Sequence, residues 1–185
     1  MKSRAAVFVG KDQPLAVDEI EVPDPRADQV IVRLSFTGLC HSQLHQMAAG
    51  ERLETPSILG HEAAGHVTHV GSGVKDLKEG DQVIVTWVSK YNDVFSGGLP
   101  AQDPPGTTYK GKPISEVVVH AWAQDVLALE KYVVKINDDD RPDLAAIVGC
   151  AVLTGAGAVK NTAKVRPGNS VVVIGAGGVG LSAIQ

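Results

Sequence analysis

The chain has 185 residues, of which 44% are hydrophobic and 21% are charged. This balance supports a buried core and excludes wholesale disorder, a coiled coil and a collagen-like rod. The net charge is −4, and no block of Lys or Arg is present that would attract a nucleic acid. No apolar run is long enough for a membrane span or a signal peptide, so we expect a cytoplasmic protein with no membrane partner.

The first part of the chain is typical of a β domain. Short runs rich in β-branched residues, bounded by Gly, Pro and Asp, predict strands at 5–9, 15–21, 29–36, 64–70, 82–88, 114–120, 126–129 and 132–136. The segment 92–108 is predicted to be irregular. The segment 42–49 predicts a short helix with Ser42 as its N-cap and Gly50 as its stop. Together these elements predict a mainly β, barrel-like domain over the first 140 residues.

The remainder of the chain has a different pattern. The Ala-rich segments 144–148 and 151–163 predict helices. The apolar run 170–174 predicts a strand buried on both faces, followed by a glycine-rich turn and the start of another helix.

That turn contains the pattern G-x-G-x-x-G at Gly175, Gly177 and Gly180. Such glycines permit a tight turn, close approach of a pyrophosphate and close helix–strand packing. The context favours dinucleotide binding over an ordinary strand–helix turn. The acidic residue that would contact the ribose is expected about 20 residues further on. The 185 residues do not reach it, so the choice between NAD and NADP stays open.

The only two cysteines, Cys40 and Cys150, and the histidine His61 are candidate metal ligands. Two Cys and one His form one known set of ligands for a catalytic zinc that keeps one position open. Taken singly, each cysteine could be a small buried hydrophobic residue and the histidine a core or surface residue. Their spacing alone does not place them at one metal.

Several motifs occur in the order found in the zinc-dependent medium-chain alcohol dehydrogenases, which the chain resembles over essentially its whole length. These motifs are Gly38-Leu39-Cys40-His41-Ser42 with His45, Gly60-His61-Glu62, Gly80-Asp81-Gln82-Val83, Cys150 before Thr154-Gly155, and Gly175 to Gly180. The resemblance implies a mainly β GroES-like catalytic domain over 1–150. The incomplete start of an α/β Rossmann domain would follow over 151–185.

The resemblance also implies a site. Cys40, His61 and Cys150 would bind one catalytic zinc, with Glu62 beside it as a supporting group or transient ligand. The zinc would act as a Lewis acid on an alcohol, or on an aldehyde or ketone in reverse, while hydride passes to or from the nicotinamide.

Other positions match groups that surround this site in the family. Ser42 would begin a proton relay that His45 ends near solvent; the alternative role of Ser42 is the N-cap. His41 would contact the cofactor pyrophosphate, unless it is simply a surface histidine. Thr154 would line the nicotinamide, and Gly178 would join the other glycines of the turn. Trp87 would shape the substrate pocket, with core packing as its alternative.

Two departures from the family pattern are informative. Many relatives hold a structural zinc with four closely spaced cysteines, but the corresponding segment 91–112 contains none. We therefore expect one catalytic zinc and no structural zinc. The chain also stops well short of the ~30 residues that a single βαβ unit needs after position 170. We expect an N-terminal fragment of a longer enzyme, which alone binds dinucleotide poorly and turns over little or nothing.

Two alternative functions stay open at this stage. One is a zinc-free quinone or enoyl reductase of the same superfamily, and the other is a non-enzymatic GroES-like binding or scaffold module. The leading interpretation is an NAD(P)-dependent alcohol dehydrogenase that acts on a small alcohol or aldehyde and is a homo-oligomer when complete. The sequence does not identify the alcohol.

Overall fold

The computed structural model describes residues 1–49, 56–91, 106–114 and 119–185. Within these ranges the chain forms two five-stranded, mainly antiparallel sheets followed by a helical segment. The strands are β1 (Lys2–Phe8), β2 (Ala16–Glu21), β3 (Gln29–Thr37), β4 (Ser57–Ile58), β5 (Glu62–Val70), β6 (Gln82–Thr86), β7 (Thr108–Tyr109), β8 (Lys112–Pro113), β9 (Asp125–Leu129) and β10 (Val133–Lys135). The mainly β architecture that the sequence predicts is confirmed.

Within the described residues, a short backbone segment joins the two sheets. The first sheet has the order β4-β1-β2-β7-β8 and the second the order β10-β6-β5-β3-β9. Ala6 donates its N–H to the carbonyl of Trp122, and Gln124 donates to the carbonyl of Arg4. Leu34 of the second sheet also donates to the carbonyl of Gln124. Residues 122–124 therefore bond to both sheets and hold them together.

The core lies on the inner faces of the two sheets. In the second sheet, one core cluster contains the fully buried Val30 and Val32 of β3 and Val83 and Val85 of β6. A second cluster, which includes Val7, Ile20 and Ile58, fills the first sheet's side. The β-branched residues that predicted these strands are the ones that fill the core, because they pack well on a pleated surface.

The sequence placed the first helix one residue late. Helix α1 spans His41–Ala49, so Cys40 precedes its first residue and Ser42 lies inside its first turn. The expectation that Ser42 is the N-cap is therefore wrong. The predicted stop at Gly50 lies outside the described residues, as do 115–118 of the predicted strand 114–120 and most of the irregular segment 92–108.

The last part of the described chain is helical and then extended. Helices α2 (Pro142–Ala145) and α3 (Leu153–Gly157) alternate with the π-helical turns Val148–Val152 and Ala158–Thr162, and α4 spans Gly178–Ile184. No helix among the described ranges is long and apolar enough to cross a membrane.

The segment 170–174, predicted to be a strand buried on both faces, is not a strand in the structure. It pairs with no strand of the described chain, and the side chains of Val172 and Ile174 are 86% and 96% exposed. A strand forms only where a neighbouring backbone receives its hydrogen bonds, and the part of the chain that the structure describes offers none here.

Candidate functional site

One edge of the second sheet positions the candidate site. Strands β3 and β5, and β5 and β6, pair in antiparallel directions. The end of β3, the start of β5 and the end of β6 therefore lie side by side: Thr37 pairs with Ala63, and Glu62 pairs with Thr86. Segments that are far apart in the sequence leave the sheet at this common edge.

Each of these three strand ends leads to one candidate ligand. Cys40 follows β3, His61 directly precedes β5, and Cys150 lies in a helical turn that packs against the end of β6. The Sγ atoms of the two cysteines and a ring nitrogen of His61 all lie within 4.8 Å of one another. The structure thus brings together three residues that spacing alone could not place at one point.

Two glycines shape the approach of the chain to this point. Gly60 has φ +94, a conformation that glycine adopts without strain, and a Cβ there would lie 2.6 Å from the Trp122 ring. A Cβ at Gly38 would lie 2.5 Å from the Glu62 carboxylate. Glycine at these two positions allows His61 and Glu62 to face the cluster.

Cys150 is anchored through its neighbours in the chain. The Thr86 hydroxyl donates a 2.6 Å hydrogen bond to the carbonyl of Gly149. The N–H of Ala151 donates to Glu62 Oε2 at 3.3 Å. These two bonds fix the helical turn on each side of Cys150 to the ends of β6 and β5.

The three donors suit a zinc ion. Tetrahedral zinc has Zn–S bonds near 2.3 Å and Zn–N bonds near 2.0–2.1 Å, so its donor atoms lie roughly 3.5–3.8 Å apart. The three side chains would need to move only slightly closer together to bind it. His61 Nε2 is buried without a hydrogen-bond partner among the described residues, as a nitrogen reserved for a metal would be. Burial also lowers the pKa of His61, which favours the neutral ring that binds metals.

Without a metal, two acidic groups at the cluster are harder to ionise than in water. Burial, with the nearby Cys40 and Glu62, raises the pKa of Cys150 to about 11. Burial raises the pKa of Glu62 as well, although the N–H groups of Ala151 and Cys150 partly offset this effect. A divalent cation would reverse this balance, because a coordinated thiol loses its proton.

Trp87 borders the cluster, and its exposure does not fit simple core packing. Its side chain is 39% exposed, and its ring lies edge-on to His61 with centroids 6.3 Å apart. The residue directly follows β6, at the same sheet edge as the candidate ligands. Its position is compatible with a wall of a substrate pocket.

The predicted relay residues lie on α1. Ser42 and His45 are exposed and three residues apart, so they lie on neighbouring parts of the helix surface. The rings of His41 and His45 pack edge to face with centroids 4.8 Å apart. Thr154 is exposed on α3.

A cavity of about 470 Å³ connects the cluster to the glycine turn. Its walls include Cys40, His41 and Glu62 on one side and Gly175, Gly177, Gly178 and Gly180 on the other. The turn was predicted from its pattern, but its position opposite the cluster is a tertiary result.

The glycines of the turn have distinct structural roles. Gly175 has φ +100, and a Cβ at Gly180 would lie 1.9 Å from the carbonyl oxygen of Gly175. No atom lies within 4 Å of a Cβ built on Gly177, so that position faces open space. These roles match the tight turn, close packing and open approach that the fingerprint requires.

One residue of the site was missed at the sequence level. Gln43 is 1% exposed and contacts both Cys40 and His61. The available signal was its position three residues after Cys40, where a Gln side chain can reach back to the N-cap N–H.

Comparisons with known proteins agree with this geometry. Residues 26–138 match the family described as the alcohol dehydrogenase GroES-like domain, and the chain belongs to this family. The whole chain is 34% identical to an S-(hydroxymethyl)glutathione dehydrogenase of Escherichia coli, of which it covers 55%. The chain therefore spans about half the length of such relatives.

Two solved structures are also similar to this chain over nearly its whole length. A protein of Burkholderia ambifaria, titled an alcohol dehydrogenase zinc-binding domain protein, is 32% identical with a TM-score of 0.89 and matches 100% of this chain and 55% of its own. Benzyl alcohol dehydrogenase of Acinetobacter calcoaceticus is 28% identical with a TM-score of 0.86, over 99% of this chain and 54% of its own.

Proposed function

We propose that this chain forms the zinc-binding catalytic portion of an alcohol dehydrogenase that transfers hydride reversibly between an alcohol and NAD or NADP. The observation that carries the proposal is the convergence of the Cys40, His61 and Cys150 donor atoms within 4.8 Å. The family membership and the alcohol dehydrogenases among the similar proteins support it.

In this proposal Cys40, His61 and Cys150 would hold one catalytic zinc beside the cavity. When bound, zinc supplies Lewis-acid chemistry that polarises a hydroxyl or carbonyl oxygen. Glu62, held by Ala151 and packed against Gly38, keeps Cys150 in place and contributes negative charge beside the ligands. Trp87 limits the space available to the substrate.

The cavity beside the cluster would receive the dinucleotide. The open space at Gly177 admits a pyrophosphate, and His41 lies on the facing wall, where a basic group can contact that pyrophosphate. Thr154 is assigned to the nicotinamide side.

Ser42 and His45 would carry the substrate's proton outward. A serine hydroxyl both accepts and donates a proton, and an exposed imidazole can pass a proton to solvent. Their exposure on α1, next to Cys40, supports this assignment.

Several broader assignments belong to the same proposal. The chain would divide into a GroES-like domain over 1–150 and the beginning of a Rossmann domain over 151–185. The complete enzyme would be a cytoplasmic homo-oligomer that acts on small alcohols and aldehydes. The zinc-free reductase and scaffold alternatives are less favoured because neither needs two thiols and an imidazole at one point.

Cobalt substitution tests the metal site directly. The metal-free chain loaded with Co²⁺ should show thiolate-to-cobalt absorption and tetrahedral d–d bands, both weakened strongly in Cys150→Ser and His61→Ala. His66→Ala, which removes an exposed histidine of β5, should leave the bands unchanged. Benzyl alcohol should shift the d–d bands if a coordination position is open. A chain that binds no cobalt through these residues would reject the dehydrogenase in favour of the alternatives.

A further inference from the structure

One buried amide contacts two of the three candidate ligand residues. Gln43 lies in the first turn of α1, and its side chain is 1% exposed. Its Oε1 accepts a 2.9 Å hydrogen bond from the N–H of Cys40. Its Nε2 lies 2.6 Å from Nδ1 of His61. This side chain therefore links Cys40 to His61.

The polarity of the amide determines where His61 carries its proton. A glutamine side chain has one end that only donates and one end that accepts. With Oε1 occupied by the Cys40 N–H, the NH₂ group faces Nδ1, so Nδ1 must accept. The neutral ring then carries its proton on Nε2. That nitrogen is buried and has no hydrogen-bond partner within the described ranges.

Metal binding requires the opposite arrangement. Because Nδ1 contacts Gln43, Nε2 is the ring nitrogen available to a cation, and it can bind only when the proton sits on Nδ1. The Nδ1–H group then needs an acceptor. Turning the amide over would place Oε1 on His61, but it would also turn the NH₂ group toward the N–H of Cys40, so that two donors face each other.

The geometry points to Gln43 as a positioning residue that sets the tautomer of His61 and thereby limits the affinity of the site for a divalent cation. In the metal-free chain the amide favours the tautomer that cannot bind metal. Loading the site requires the amide to turn over and costs the Cys40 hydrogen bond. This inference rests on the proposed zinc site.

A carboxylate at this position would remove the conflict. Glutamate has the same length, and its two oxygens can accept from the Cys40 N–H and the His61 Nδ1–H together. Gln43→Glu should therefore raise the affinity for Zn²⁺ about tenfold, since groups that orient a metal-bound histidine typically change affinity 10–100-fold. Gln43→Met keeps the length but favours neither tautomer, and it removes the cost of turning the amide. It should therefore bind Zn²⁺ more tightly than the native chain but less tightly than Gln43→Glu.

Two measurements test the inference. Competition with a chromophoric chelator gives the Zn²⁺ affinity of the native chain and the variants. Gln46→Glu adds the same charge on the same helix one turn further on, and it corrects for the attraction of any added carboxylate. Nitrogen-15 NMR of histidine-labelled chain identifies the ring nitrogen of His61 that carries the proton.

From tightest to weakest, we expect the affinity order Gln43→Glu, Gln43→Met, native, with the glutamate gain clearly above that of Gln46→Glu. The metal-free native chain should show His61 protonated on Nε2, and the zinc-loaded chain on Nδ1. A native metal-free chain with the proton on Nδ1 overturns the inference, even if the variants fail to fold. Equal affinities of Gln43→Glu and Gln46→Glu would do the same. If the native chain binds no Zn²⁺ through Cys40 and His61, the proposed function itself fails.

Discussion

Glu62 Oε2 accepts a hydrogen bond from the backbone N–H of Ala151 at 3.3 Å, which joins the first residue of β5 to the residue after Cys150. The contact joins positions 89 residues apart in the chain and fixes the segment that carries His61 relative to the segment that carries Cys150. The side chain that makes it is only 3% exposed, so its charge is held in a poorly solvated place.

The first prediction concerns the stability of the metal-free chain. Burial raises the pKa of Glu62 above the pKa that this group has in the unfolded chain. As pH rises through that unfolded-state pKa, ionisation of Glu62 therefore lowers the stability of the folded chain. Glu62→Gln keeps an acceptor for Ala151 without the charge, and it should be more stable than the native chain at pH 8 in a chelator. Urea unfolding should show this advantage shrinking toward pH 4. The exposed control Glu79→Gln should show no such trend, and a pH-independent advantage would contradict the explanation.

The second prediction concerns protons released on zinc binding. The pKa of Cys150 is raised to about 11, so its thiol is protonated at neutral pH and must lose that proton to bind zinc. The apparent affinity for Zn²⁺ should increase at least about tenfold for each pH unit between pH 6 and 8, the dependence that release of one proton produces. Calorimetry in buffers of different ionisation heat measures the released protons. An affinity that does not change with pH would contradict a thiolate ligand.

The third prediction is the zinc content. The sequence contains two cysteines, both used by the proposed catalytic cluster, and the segment 91–112 has none for a second site. Metal analysis of the purified chain should give one zinc per chain, lost in Cys40→Ala. Two zinc ions per chain, with one retained in Cys40→Ala, would contradict the expected absence of a structural zinc.

The fourth prediction concerns the sheet that carries the site. A Cβ at Gly65, in the middle of β5, would lie 2.1 Å from the carbonyl oxygen of Arg33 on β3. Gly65→Ala should therefore destabilise the chain by about 1–3 kcal/mol through overpacking. Gly177→Ala is the matched control, because no atom lies within 4 Å of its added Cβ. Chemical unfolding that shows equal stability for both variants would contradict this account.

Long strands with many β-branched residues were predictable, and short ones were not. Strands β3, β5 and β9 lie close to their predicted positions because their side chains fill the core. The two-residue strands β4, β7 and β8 carry no pattern long enough to detect. Helix α1 begins one residue early because the side chain of Gln43 caps the N–H of Cys40, which a search for Ser or Thr caps does not detect.

The amino-acid sequence by itself determined the β character of the chain, the glycine turn and the identity of three possible zinc ligands, because these features depend on local residue type and order. Only the tertiary structure decided that Cys40, His61 and Cys150 meet, and that Gln43 lies between two of them. The physical reason is the antiparallel pairing of β3, β5 and β6, whose backbone hydrogen bonds bring distant segments to a single sheet edge.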